Sequence, residues 1–500
     1  MQRACRALSQ IPSACPLQRG ARPFSQALDE QTLRLCTIAG YAAKGNLTQL
    51  AKVWEELPEQ EHANAHEIVM QNLLYNGLPK TIMALNAITK VGVKDRIIAE
   101  DRSVARPKDY FREQGNAAVK ELFGYKQVRL QQRLRLLHPA YGQWVTDFGF
   151  GRVRSRPGPS QKVRALCELA ALGGQFVPPQ FRVAIIMTLT AGATLEEVRA
   201  VLDTVTDIWG SEQQAAIDSF WSDLTLRRVA ERGWDFEKAD EDLLRNNEGL
   251  HPQSILKEDW SHLFPPEALS PQNWRHPAIS SIRPVIGLSD RTRMLALCAT
   301  NTAHGNLSGL AQAWTYLDPM DHGAGLEVML GTVLNTGFHR VHNGLLALHS
   351  QGVCRDAIQV DREDAILDGE GFTARGEIVL QQIHREKYHQ FREQMERLHP
   401  DLWLWIVEFL YGQVTGRTCA RLSLADRELA SLGCMAGLAN GSQLGAHMRG
   451  ALNCGASPQA VRGILDQCGH AAGRPMQAFV DGYWLSFVRT IPSKELAGAR

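Results

Sequence analysis

The strongest constraint on how this chain can fold is that it repeats itself. Residues 47–57, LTQLAKVWEEL, and residues 307–317, LSGLAQAWTYL, share five of eleven positions at an offset of 260, Trp54 with Trp314 among them. Gly77 then matches Gly337, and Gly92-Val93 matches Gly352-Val353. At offset 261, Leu137-His138-Pro139 pairs with Leu398-His399-Pro400, Gly151 with Gly412 and Arg156 with Arg417. Self-similarity at a fixed spacing means that one architecture is built twice. The halves are residues 29–245 and 283–500. Between them, residues 246–282 carry Pro252, Pro265, Pro266, Pro271 and Pro277, which rule out one continuous helix and read as a linker. Trp260 and Trp274 suit a linker that docks on a surface.

Within each half the apolar spacing is helical. Leu429, Leu432, Met435 and Leu438 fall at intervals of three, on one face of a helix. Thr194-x-x-Glu197 reads as a capping box, and Ser457-Pro458 as an N-cap followed by proline at the first helical position. Gly192 and Gly455 suit a left-handed stop to the preceding helix. No segment alternates like a strand for any length. The expected fold is all-α, each half made of two similar helical units.

The first 28 residues differ from the rest. They hold Arg3, Arg6, Arg19 and Arg22, several serines and no acidic residue, the composition of a mitochondrial presequence. Arg22-Pro23-Phe24-Ser25 resembles an Arg-x-aromatic-Ser cleavage site, so a mature chain beginning near Ser25 in the mitochondrial matrix, or facing it, is expected. Removing those four arginines takes the formal charge from +1 to −3, which gives no global pull toward nucleic acid. No apolar run is long enough for a transmembrane span. The cysteines lack C-x-x-C spacing and read as buried free thiols, not as a disulfide frame or a metal site.

The segment YGQVTGRTCARLSLADRELASLGCMAGLANGSQLGAHMRGALNCGASPQAVRGIL, residues 411–465, resembles the carboxymuconolactone decarboxylase family, whose all-α fold is shared with alkyl hydroperoxide reductase D-like proteins. Tyr411-Gly412, Arg417, Arg427-Glu428-Leu429, His447, Gly450-Ala451, Gly455 and Gly473-Arg474-Pro475 take the places of the family's motif. By extension, the mature chain resembles four such units in tandem. The resemblance implies decarboxylation of a carboxylated lactone without cofactor or metal, with His447 as general acid and Glu428 as its orienter. The C-x-x-C of the hydroperoxide branch is replaced by Asn440 and Gln443, so a thiol relay is not expected.

The other units supply a control. Aligning Gly192 with Gly455 places Ala165 opposite Glu428 and Ala184 opposite His447. Unit three offers Met294 or its apolar neighbours at the glutamate place, and unit one is equally bare. Two functions stay open on these grounds. One is a non-catalytic scaffold or accessory subunit of a mitochondrial assembly such as a respiratory complex, ATP synthase or mitoribosome, with other proteins as partners. The other is a lyase with one surviving site in the last unit. A basic stretch over residues 120–164 adds a candidate contact for anionic lipid, RNA or an acidic protein, and an acidic stretch over 196–248 its complement.

Overall fold

A computed structural model of the chain describes residues 27–92, 109–124, 127–173, 178–211, 214–222, 288–350, 352, 357–359, 361–364, 366–438, 441–471 and 474–491. The linker with its two tryptophans and nearly all of the basic N-terminal segment lie outside these residues. All regular structure among the described residues is helical, and no described helix is long and apolar enough to cross a membrane.

The first half contains α1 (Glu30–Lys44), α2 (Leu47–Glu55), α3 (His62–Gln71), α4 (Leu73–Gly92), α5 (Tyr110–Phe123), α6 (Gln127–Leu137), α7 (Pro139–Trp144), a π-helix (Val145–Arg154), α8 (Gln161–Leu172), α9 (Pro178–Thr190) and α10 (Leu195–Trp209). The second half contains α11 (Asp290–His304), α12 (Leu307–Tyr316), α13 (His322–Gly331), α14 (Val333–Thr336), α15 (Phe338–Ser350), α16 (Gly369–His384), α17 (Tyr388–Leu398), α18 (Pro400–Leu404), a second π-helix (Trp405–Thr415), α19 (Leu424–Gly437), α20 (Gly441–Asn453), α21 (Pro458–Ala471) and α22 (Arg474–Val488).

The order of elements recurs with the sequence offset. Helix α1 starts at Glu30 and α11 at Asp290, each capped by a side chain one residue earlier, Asp29 on Thr32 N–H and Ser289 on Thr292 N–H. Both stop at a left-handed glycine, Gly45 and Gly305. The expected capping box on Thr194 is formed, and Ser423 with Asp426 makes another that opens α19. The π-helices follow no signal in the sequence. Each crosses a neighbouring helix through a pair of glycines, Gly151 against Gly115 and Gly412 against Gly376. A Cβ on Gly151 or Gly412 would overlap the carbonyl of Phe111 or Phe372, which explains why that matched pair is glycine.

The two halves pack face to face in a reciprocal way. Phe148 and its counterpart Phe409 stack on each other, 3.8 Å between centroids and 11° between planes. The Arg156 guanidinium lies 5.3 Å from the Trp405 ring, and Arg417 lies 5.6 Å from the Trp144 ring. The kink between α14 and α15, at Gly337, seats against Leu74 and Tyr75, while the kink within α4, at Gly77, seats against Asn335 and Thr336. This is the geometry of an isologous dimer interface within one chain.

Beneath it lie two matched buried ion clusters. Arg156 donates from Nε and Nη2 to Glu67 at 2.9 and 3.0 Å, and Arg417 does the same to Glu327 at 2.9 and 3.1 Å. Arg164 and Arg427 complete the clusters by donating to the carbonyls of Arg156 and Arg417, at 3.0 and 2.8 Å. Burial works against the Glu327 carboxylate, but Arg417 and Arg427 outweigh it and hold its pKa below the ordinary range.

Part of the basic stretch over residues 120–164 is interior: Arg152, Arg154, Arg156 and Arg164 are buried. Lys162 reaches Glu197 at 2.7 Å, joining the basic stretch to the acidic one.

Candidate functional site

Helices α19 and α20 are consecutive and packed together, which places Glu428 beside His447. The His447 Nδ1 to Glu428 Oε2 distance is 3.0 Å, with the residues only 7% and 2% exposed. The two residues singled out from the sequence are therefore in contact. Gly450 makes room for them. A Cβ there would come within 2.5 Å of Glu428 Oε2, so the glycine three residues after the histidine is the floor on which the carboxylate rests. Arg417 and Arg427, from the same motif, do not reach this pair and serve the buried cluster around Glu327.

Both dyad residues line a solvent-open cavity. Its walls come from both halves: Leu78, Pro79 and Ile82 from α4, and His384, Tyr411 and Gln443 from the second half. With Nδ1 engaged by Glu428, the second ring nitrogen of His447 is left for a molecule in the cavity. Such a pair can donate a proton to carbon or oxygen and be held in place while doing so. His384 lines the same wall, stacked on Phe391 at 4.2 Å, and burial lowers its pKa to about 4, so it is a neutral ring near neutral pH. The sequence reading did not find His384. It belongs to α16, far from the motif, and only the fold brings it there.

Burial pushes the Cys454 thiol up to about 12, with Glu428 adding to the effect, and the seven described cysteines are all free. No group of His, Cys, Asp and Glu among the described residues could hold a metal ion.

The interface symmetry generates a second cavity at the matching place in the first half. Phe123, Leu134, Phe150 and Gln180 stand where His384, Met395, Tyr411 and Gln443 line the first cavity. The dyad positions are indeed apolar here, and for a packing reason. Ala165 replaces Glu428, Met187 replaces Gly450, and the two meet in one cluster with Leu122, the counterpart of Ile383. The methionine occupies the space of the carboxylate. Yet this cavity is not bare. Glu168, one turn beyond Ala165 on α8, pairs with Arg154 and accepts from Tyr75 O–H at 3.1 Å. His339 Nε2 approaches the other oxygen of Glu168 at 3.7 Å. None of these four occupies a place where the dyad alignment would look.

Compared with known proteins, the chain matches no protein-family model and no curated protein sequence at a significant level.

Proposed function

We propose that the chain is a non-catalytic accessory or scaffold subunit of a mitochondrial protein assembly, built from four decarboxylase-like helical units. The exchange at Ala165 and Met187 carries this reading. In the first half the arginines that hold the fold keep their places, while the packing of Glu428 on Gly450 has been replaced by Ala165 against Met187, and His447 by Ala184. A chain that needs its packing faces, and not this acid–base pair, keeps Arg164 and Leu166 and lets the residue between them become Ala165. The interface between halves supports the same reading, since it supplies a rigid two-lobed body of the kind on which other subunits dock. The decisive measurement is size: native fractionation of mitochondria should find the chain in a large assembly, and recovery only as a free monomer or small oligomer refutes the proposal.

A second reading is favoured by the 3.0 Å contact of His447 with Glu428 beside an open cavity. On this reading the last unit is a lyase. The bond from ring carbon to carboxylate breaks, CO₂ leaves, and the electron pair enters the conjugated lactone as a dienolate. His447 then gives its proton to carbon and recovers it from water. Under the scaffold reading, His447→Ala leaves assembly intact and costs about 1–3 kcal/mol, because it leaves the buried Glu428 carboxylate without its partner. Under the lyase reading it lowers turnover of a muconolactone-type acid by about 10²–10⁴. Turnover by the unmodified protein that His447→Ala abolishes would replace the first reading with the second.

A further inference from the structure

The cavity of the first half is apolar over most of its wall and polar at one place, where Arg154, Glu168, Tyr75 and His339 converge. The hydrogen bonds at that place do not balance. Glu168 is satisfied, held by Arg154 Nη1, Tyr75 O–H and the approach of His339. Arg154 is not. It is 2% exposed, and its Nε and Nη2 have no acceptor. A guanidinium carries five N–H donors and no acceptor, so its unmet need is for oxygen lone pairs. Leaving such donors buried and unanswered is costly, and proteins rarely do so without a ligand or water to complete them.

Charge points the same way. Arg154 and Glu168 cancel, Arg133 on the same wall adds a positive charge, and burial keeps His339 and His342 neutral, with pKa values lowered to about 3 and about 4. The cavity therefore presents a net positive, donor-rich end and a long apolar wall that includes Leu74, Val145 and Leu346. We infer that this cavity is a binding site for a hydrophobic monocarboxylate, whose carboxylate accepts from Arg154 and whose apolar body lies along the wall. It owes nothing to the His447–Glu428 pair, whose counterparts here are Ala184 and Ala165.

The pseudo-symmetry supplies the controls. Val183, 42% exposed, stands at the rim of this cavity, and Ala446 stands at the matching place of the other. Decanoate and 2-naphthoate, titrated calorimetrically into the full chain, represent aliphatic and aromatic acids, and the tighter of the two identifies the natural class. Val183→Trp should weaken the binding of the preferred acid by about tenfold or more, and Ala446→Trp should not. A second variant, Arg154→Gln with Glu168→Gln, removes both charges together so that neither is stranded. It should weaken the acid by about tenfold or more and leave decanol unchanged, as expected when a charged hydrogen bond is lost. The inference is overturned if neither acid binds at millimolar concentration, if Val183→Trp binds as tightly as the unmodified chain, or if decanol matches decanoate.

Discussion

Exchanging the two packing solutions at the dyad position gives a quantitative test of why one half has lost it. Glu428→Ala alone removes the hydrogen-bond partner of a buried histidine and leaves a void above Gly450, at a cost of about 2 kcal/mol. Gly450→Met alone drives a side chain into Glu428 Oε2, whose distance from a Cβ there would already be 2.5 Å, and overpacking of this kind costs about 1–3 kcal/mol. Combined, the two changes reproduce the Ala165–Met187 contact. The methionine fills the void, and replacing glycine inside α20 recovers about 1 kcal/mol of helix propensity. The double variant should then lose only about 1 kcal/mol, most of it the unpaired His447, and the coupling between the two sites should be about 2–4 kcal/mol. Urea unfolding followed by far-ultraviolet circular dichroism, at neutral pH and with all four proteins compared, measures it. Additive effects would show that the two cavities differ for some reason other than volume, and the packing explanation would fail.

Other perturbations follow from the same structure. Arg417→Met should cost about 3–5 kcal/mol, because it strands the Glu327 carboxylate in the interior, and a loss below 1 kcal/mol in urea unfolding would contradict that placement. Gly337→Ala should loosen the contact between halves, since its Cβ would overlap the Leu74 carbonyl at a positive φ, and faster limited proteolysis is the readout. Burial lowers the pKa of His66, His138, His339, His342 and His384 to between about 3 and about 4, against 6.5 in the unfolded chain. The unfolded state binds more protons between those limits, so stability is full above about pH 6.5 and falls as pH drops toward 4. A urea midpoint that stays flat from pH 7 to pH 5 would refute the burial of these rings. Finally, sequencing the endogenous N-terminus should find a start near Ser25, and an intact Met1 would remove the case for import.

How much of this was legible in the sequence depended on the range of the interaction. The helices, their caps and the glycine stops are local, and Thr194 and Ser457 announce them within a few residues. Glu428 and His447 were legible as a pair because nineteen residues on a helical hairpin bring them together. What was not legible came from the contact between halves. Matching Arg156 with Arg417 showed that the position repeats, but not that each guanidinium lies over a tryptophan of the other half. The π-helices were invisible because the pattern that distinguishes one from an α-helix is a single wide turn. The cluster of Glu168, Arg154, Tyr75 and His339 leaves no local signal, because its carboxylate lies one turn from the dyad's own position and its four members come from separate elements.

Joining the halves in one chain has a consequence for how the two cavities can differ. In a dimer of identical chains every substitution is made twice, so a change that suits one cavity is imposed on the other. Here each wall is encoded separately. Pro79 and Ile82 border the cavity that holds His447, while His339 and His342, their partners across the pseudo-two-fold axis, border the other. A single covalent body thus carries two pockets at matching places and of independent chemistry, and the lining of one can change without any revision of its twin.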